Sequence, residues 1–135
     1  MEQGYLHIAN NIFPTLLAIS LEEQSQGLMH QPWPPPIMSF VYARPQINKF
    51  WMNKTPSPLD LLFCCDGKVK EICFGEPNST SMIGGDQLSD LVIELPFGTV
   101  ASSCIKLGHQ VGIIKPTQEE LKKIIAEKYS LFVKF

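Results

Sequence analysis

Short apolar runs, each cut off after a few residues by proline, glycine or a polar turn, set what this chain can fold into. Eleven prolines and nine glycines punctuate 135 residues. Proline fixes φ and removes a backbone donor, so long helices have little room here. The runs at 15–19, 37–42, 49–52, 59–65, 68–72, 91–95 and 110–114 read as strands, and an edge strand or arm is read around Tyr5, His7 and Asn10. Residues 43–48 read as a turn. Asp66-Gly67 is a hairpin signal, because both residues tolerate the positive φ of a tight two-residue turn. Ser20 with Glu23, and Thr117 with Glu120, are capping boxes that predict short helices over 21–28 and from 118 onward. A closing strand is read at 130–135. Strands at this spacing, without strand–helix alternation, predict a mainly β chain: an antiparallel β-sandwich or barrel-like domain with two short helices.

One core is expected over residues 1–135, since that length is ordinary for a single domain. With 44% hydrophobic and 18% charged residues, the chain has the apolar material to pack. Its net charge of -2 leaves no global field for a phosphate backbone, so nucleic acid is not an expected partner. No apolar run is long enough for a membrane-spanning helix, and the start Met1-Glu2-Gln3-Gly4 lacks the basic and apolar pattern of a secretory signal. As written, the chain is expected to be cytoplasmic.

Little in the sequence announces chemistry. Cys64, Cys65, Cys73 and Cys104 form no C-x-x-C pair and read as reduced, buried apolar residues; no metal and no cofactor are expected. His7, His30 and His109 lie in no nucleophile motif, and Gly84-Gly85-Asp86 is too short to cradle phosphate. The proline-dense segment 31–36 reads as an extended connector. The long polar stretch 75–90 reads as a loop of the kind that often carries binding. Trp51, Asn53, Thr55 and Asp60 form the candidate ligand patch: an indole face beside polar groups around the start of a buried strand. Asp60 with Glu94 is the one carboxylate pair that could serve as acid and base, if the two converge.

Phe50-Trp51-Met52-Asn53-Lys54-Thr55, then Pro58-Leu59-Asp60 and Phe63, form the most specific stretch of the chain. With Glu22, Gly27-Leu28-Met29, Asp66-Gly67, Val92-Ile93-Glu94-Leu95 and Gly98, they give the chain a resemblance to the family known as domain of unknown function 192, over about 16–114. The resemblance implies a compact β-sandwich and no established activity. Members often carry an N-terminal export or membrane segment, which this chain lacks as written. The chain departs from the family pattern at Gly108-His109, where Gly-Asp is usual, and at Ile37-Met38-Ser39-Phe40, where Gly-Met-Leu-Phe is usual. The N-terminal arm and residues 116–135 lie outside the family-like core. These extensions suggest a non-catalytic structural or protein-binding module, self-associating or part of a larger assembly such as a virion. The alternatives are a domain that binds a small polar, sugar-like ligand through Trp51 and Asp60, and a hydrolase using Asp60 with a second acid.

Overall fold

The computed structural model describes residues 1–115, in the order β1 (Glu2–Ile8), β2 (Asn11–Ala18), α1 (Leu21–Gln26), β3 (Met38–Ile47), β4 (Leu59–Cys65), β5 (Lys68–Gly75), β6 (Leu88–Pro96), α2 (Thr99–Ser102) and β7 (Val111–Ile114). The C-terminal helix and strand expected over 116–135 lie outside the described residues. The strands form a single seven-stranded sheet, ordered β5-β4-β6-β3-β2-β1-β7, curled into a half-barrel. Its two ends approach each other: the Val69 N–H donates to the His109 carbonyl at 3.0 Å, and the Val111 N–H donates to the Gly67 carbonyl at 2.9 Å. Among the described residues no helix is long and apolar enough to cross a membrane.

Curling the sheet gives it an inner and an outer face, and both are covered. Alternation along β4 sends Leu62 and Cys64 inward, where Ile93 and Leu95 of β6 meet Leu6 and Ile8 of β1. Leu59, Leu61 and Phe63 point outward with Val92 of β6 and with Met38 and Phe40 of β3. That outer cluster is roofed by Leu28, after α1, and by Met52. Because both of its faces are buried, β4 reads as a continuous apolar run rather than an alternating one.

The structure corrects several expectations. β1 is no free arm; it lies between β2 and β7. Its hairpin to β2 turns through Ala9 and Asn10, at φ 49° and 63°. Residues 43–48 are not a simple turn, because β3 runs on to Ile47 through a register shift between Val41 and Gln46 that accommodates Pro45. The expected strand at 49–52 reduces to a single bridge, Phe50 to Ile83. The sheet is not wholly antiparallel, since β2 and β3 pair in parallel. The described second helix is α2, which no capping signal marks: its N-cap is Gly98, without a side-chain cap of its own. Cys64 and Cys65 are buried as expected, but Cys73 is only partly so and Cys104 is exposed.

Candidate functional site

A cleft of about 330 Å³ opens on the outer face of the sheet, between α1 and the segment that leads into β4. The α1 wall begins with its capping box. The Glu23 N–H donates to Ser20 Oγ at 3.1 Å, and the Ser20 N–H donates to Glu23 Oε1 at 3.0 Å. Those contacts hold the Glu23 carboxyl below its usual value. Gln24 ties the helix to the sheet, its Nε2 donating to the carbonyls of Ala18 and Val41 at 3.1 Å each. Gly27 ends α1 at φ 50°, ψ -134°, a conformation that L side chains rarely adopt. It also lets the chain pass close over the cleft: a Cβ there would sit 3.5 Å from the Phe40 ring and 3.7 Å from Glu94 Oε1.

The opposite wall is the segment 48–55, held from both sides. The Met52 N–H donates to the Ser79 carbonyl, the Asn78 N–H donates to the Thr55 carbonyl, and Phe50 exchanges two backbone bonds with Ile83. Toward α1, the His30 N–H donates to the Lys54 carbonyl at 2.8 Å. The 76–87 loop is fixed in turn by Gly84, whose φ of +77° and missing side chain let it lie directly on the Phe63 ring. That loop, read from sequence as of the kind that often carries binding, braces the cleft from behind and contributes none of its lining.

Phe40 and Tyr42 of β3 and Glu94 of β6 form the floor. Phe50 stands edge-on to Phe40, with ring centroids 4.8 Å apart. Glu94 is only 4% exposed, yet it has neither a hydrogen-bond nor an ion-pair partner among the described residues. Every fully enclosed side-chain nitrogen or oxygen among those residues does have a partner, so the Glu94 carboxyl is not fully enclosed, and it lies on the cleft lining. Desolvation, with no cation to offset it, lifts the Glu94 carboxyl from 4.5 to about 8. Tyr42 is pushed up to about 12, by burial first and by the neighbouring Glu94 second.

The candidate patch is divided by the fold. Trp51, 47% exposed, and Thr55, buried, both line the cleft. The Thr55 hydroxyl donates to the Asn53 carbonyl at 3.1 Å, and Asn53 itself lies off the lining. Asp60 belongs elsewhere. In the β4–β6 pair Asp60 lies opposite Leu95, whereas Glu94 lies opposite Leu61. Strand alternation therefore sends the two carboxylates to opposite faces of the sheet. The acid–base pair named for a hydrolase does not converge, and the expected site of Trp51 with Asp60 is not one site. Asp60 Oδ2 instead accepts from the N–H groups of Gly98 and Val100, at 3.1 and 2.9 Å, and so anchors the start of α2. Sequence reasoning named Glu94 only as a partner for Asp60. The signal for its real place was the strand period: an acid flanked by Ile93 and Leu95 must face away from their cluster.

Elsewhere, Cys65, Asp66 and Asp90 bring ligand-type atoms within 4.8 Å of one another at the surface. Asp90 Oδ2 already accepts from the Asp66 N–H at 3.3 Å. The four cysteines are unbridged. Burial first, and then the Asp90 charge, raises Cys64 to about 12, which leaves it an inert thiol.

Comparison with known proteins agrees with this architecture. The model of the DUF192 family, described as an uncharacterised ACR, matches residues 7–113. The solved structure of a protein from Sinorhizobium meliloti 1021, described as a "putative transcription regulator", superposes with a TM-score of 0.76 at 26% identity, covering 83% of this chain and 94% of that one. A protein of unknown function from Novosphingobium aromaticivorans superposes with a TM-score of 0.73 at 27% identity, covering 80% of this chain and 83% of that one. Among curated proteins none matches significantly.

Proposed function

The chain belongs to the DUF192 family, and we propose that its outer-face cleft is a binding site for a small molecule, with Glu94 as the group that fixes the ligand. One observation carries this reading: a carboxyl on the cleft lining that is 4% exposed and has no polar partner among the described residues. A buried carboxyl without a hydrogen-bond partner is costly even when it keeps its proton, and a fold with no use for it would gain by an apolar residue there. The cleft falls within the usual size range of small-ligand sites, of order 300–1,000 Å³. Its floor and rim carry aromatic rings, and its walls are pinned by hydrogen bonds rather than left to close at random.

This reading takes precedence over assembly because it rests on described residues. The assembly reading drew on residues 116–135, which lie outside them, and on an N-terminal arm that is instead a strand inside the sheet. Amide chemical-shift mapping with a mixed set of cationic, anionic and neutral fragments tests the proposal. Ligands should move the resonances of Gly27, Glu94 and the Trp51 indole together. If no fragment of any charge perturbs those three, the cleft is not a small-molecule site.

A further inference from the structure

We propose that the ligand is a small organic cation, its substituted ammonium group seated against Glu94 and its alkyl arms against the rings of Trp51 and Phe50. This rests on the binding reading above and adds the chemical class. Four of the polar side chains lining the cleft are already engaged. Gln24 donates to Ala18 and Val41, Gln46 donates to Asn48, Asn48 donates to Ser89, and the Thr55 hydroxyl donates to Asn53. Besides Ser25, Gln26 and Lys49, the lining offers the Glu94 carboxyl, which has no polar partner among the described residues, and the aromatic rings of Tyr42, Phe50 and Trp51. A carboxylate flanked by aromatic quadrupoles is the combination that favours an alkylated ammonium, whose charge is spread over apolar arms.

No cation among the described residues pairs with Glu94. Tyr42 from β3 and Lys49 from the 48–55 segment are the other titratable groups lining the cleft, and α1 contributes none. Lys49 makes no ion pair with Glu94, and its stem lies on Gly85, where a Cβ would meet Lys49 Cγ at 2.6 Å. An anion seated at Glu94 would face a carboxyl that no described cation is paired with.

The test uses choline chloride, the neutral analogue in which carbon replaces its nitrogen (dimethylbutanol), and methyl glucoside. Each is titrated into the full chain and followed at the Trp51 indole and Gly27 amide resonances. Choline should bind at least about tenfold more tightly than dimethylbutanol, and Glu94→Gln should remove that preference. Binding should release a proton, because the cation favours the ionised carboxyl. Choline affinity should therefore rise by up to about tenfold per pH unit between pH 6 and 7 and level off above about 8. Trp51→Ala, an exposed change, should weaken choline without altering the proton release. Equal binding of choline and dimethylbutanol, or cleft shifts with methyl glucoside alone, overturns the cation assignment while leaving the binding site in place. Silence from all three probes also overturns it, and the mixed-charge fragment set then decides separately whether the cleft binds anything.

Discussion

Asp60 and Glu94 sit on neighbouring strands, one register step apart, and both are buried, but their surroundings differ completely. Asp60 turns into the curl of the sheet, where two backbone N–H groups at the start of α2 meet one of its oxygens. Glu94 turns outward beneath α1 and has no hydrogen-bond or ion-pair partner among the described residues. The first carboxylate holds a chain segment in place. The second is held in place and left available, which makes it the one to associate with binding. Burial alone does not separate a structural acid from a functional one; the inventory of partners does.

Removing the carboxylate that has partners should give the largest effect. Asp60→Ala leaves the Gly98 and Val100 N–H groups without their acceptor. At about 2 kcal/mol for each hydrogen bond to a charged group, the chain should lose roughly 4 kcal/mol of unfolding free energy. Urea denaturation monitored by circular dichroism measures this. A loss below about 1 kcal/mol would mean that α2 is anchored by something other than Asp60.

The unpartnered carboxylate should behave in the opposite sense, and in a pH-dependent way. The folded-state value of Glu94, about 8, lies above the ordinary 4.5, so the native chain holds a proton that the unfolded chain releases. Stability from this group is fully present below about pH 4.5 and is lost as pH rises toward 8, by up to roughly 1.4 kcal/mol per unit. Between pH 5 and 7 the wild-type chain should lose up to about 3 kcal/mol relative to Glu94→Gln, whose neutral amide does not titrate. Parallel stability–pH curves for the two proteins would show that Glu94 is paired or solvated in solution.

Much of this contrast could be read from the sequence, and its limits have physical causes. β4 was legible from its apolar run over 61–65, the β4–β5 hairpin from Asp66-Gly67, and α1 from its capping box, all local signals with one dominant reading. The β1–β2 hairpin was not, because Ala9 at positive φ carries no turn signature and only Asn10 hints at it. α2 was hidden because its anchor, Asp60, lies far away in sequence. Trp51 and Thr55, grouped by proximity along the chain, do share one cleft lining, but Asp60, added by the same argument, lies on the other face of the sheet. Distance along a sequence does not say which face a strand residue takes. The register between β4 and β6 does, and pairing of that kind is not written in either strand alone.

A smaller effect should come from closing the cleft rather than changing its charge. Gly27→Val adds a branched side chain at positive φ, beside the Phe40 ring and Glu94 Oε1. Backbone strain of this kind costs about 2 kcal/mol, so the protein should still fold. Fragment-induced shifts at the Trp51 indole should nevertheless disappear. Retention of those shifts would place the bound molecule outside the space between α1 and the 48–55 segment.

The smallest stability effect is expected at Trp51, and it bears most directly on what that residue is for. A tryptophan in an apolar run is ordinarily a packing residue, and truncating one in a core costs about 3–5 kcal/mol. Here the side chain is 47% exposed at the rim of the cleft, while its neighbour Met52 is fully buried and fills the outer cluster. Trp51→Ala should therefore change unfolding free energy by no more than about 0.5–1 kcal/mol, with Met52→Ala several-fold more costly. A large loss at Trp51 would make it part of the core and remove the aromatic rim from the binding argument. A near-neutral result, combined with weaker ligand shifts, would mean that an exposed indole is kept beside an unpartnered acid for contact with a molecule other than this chain.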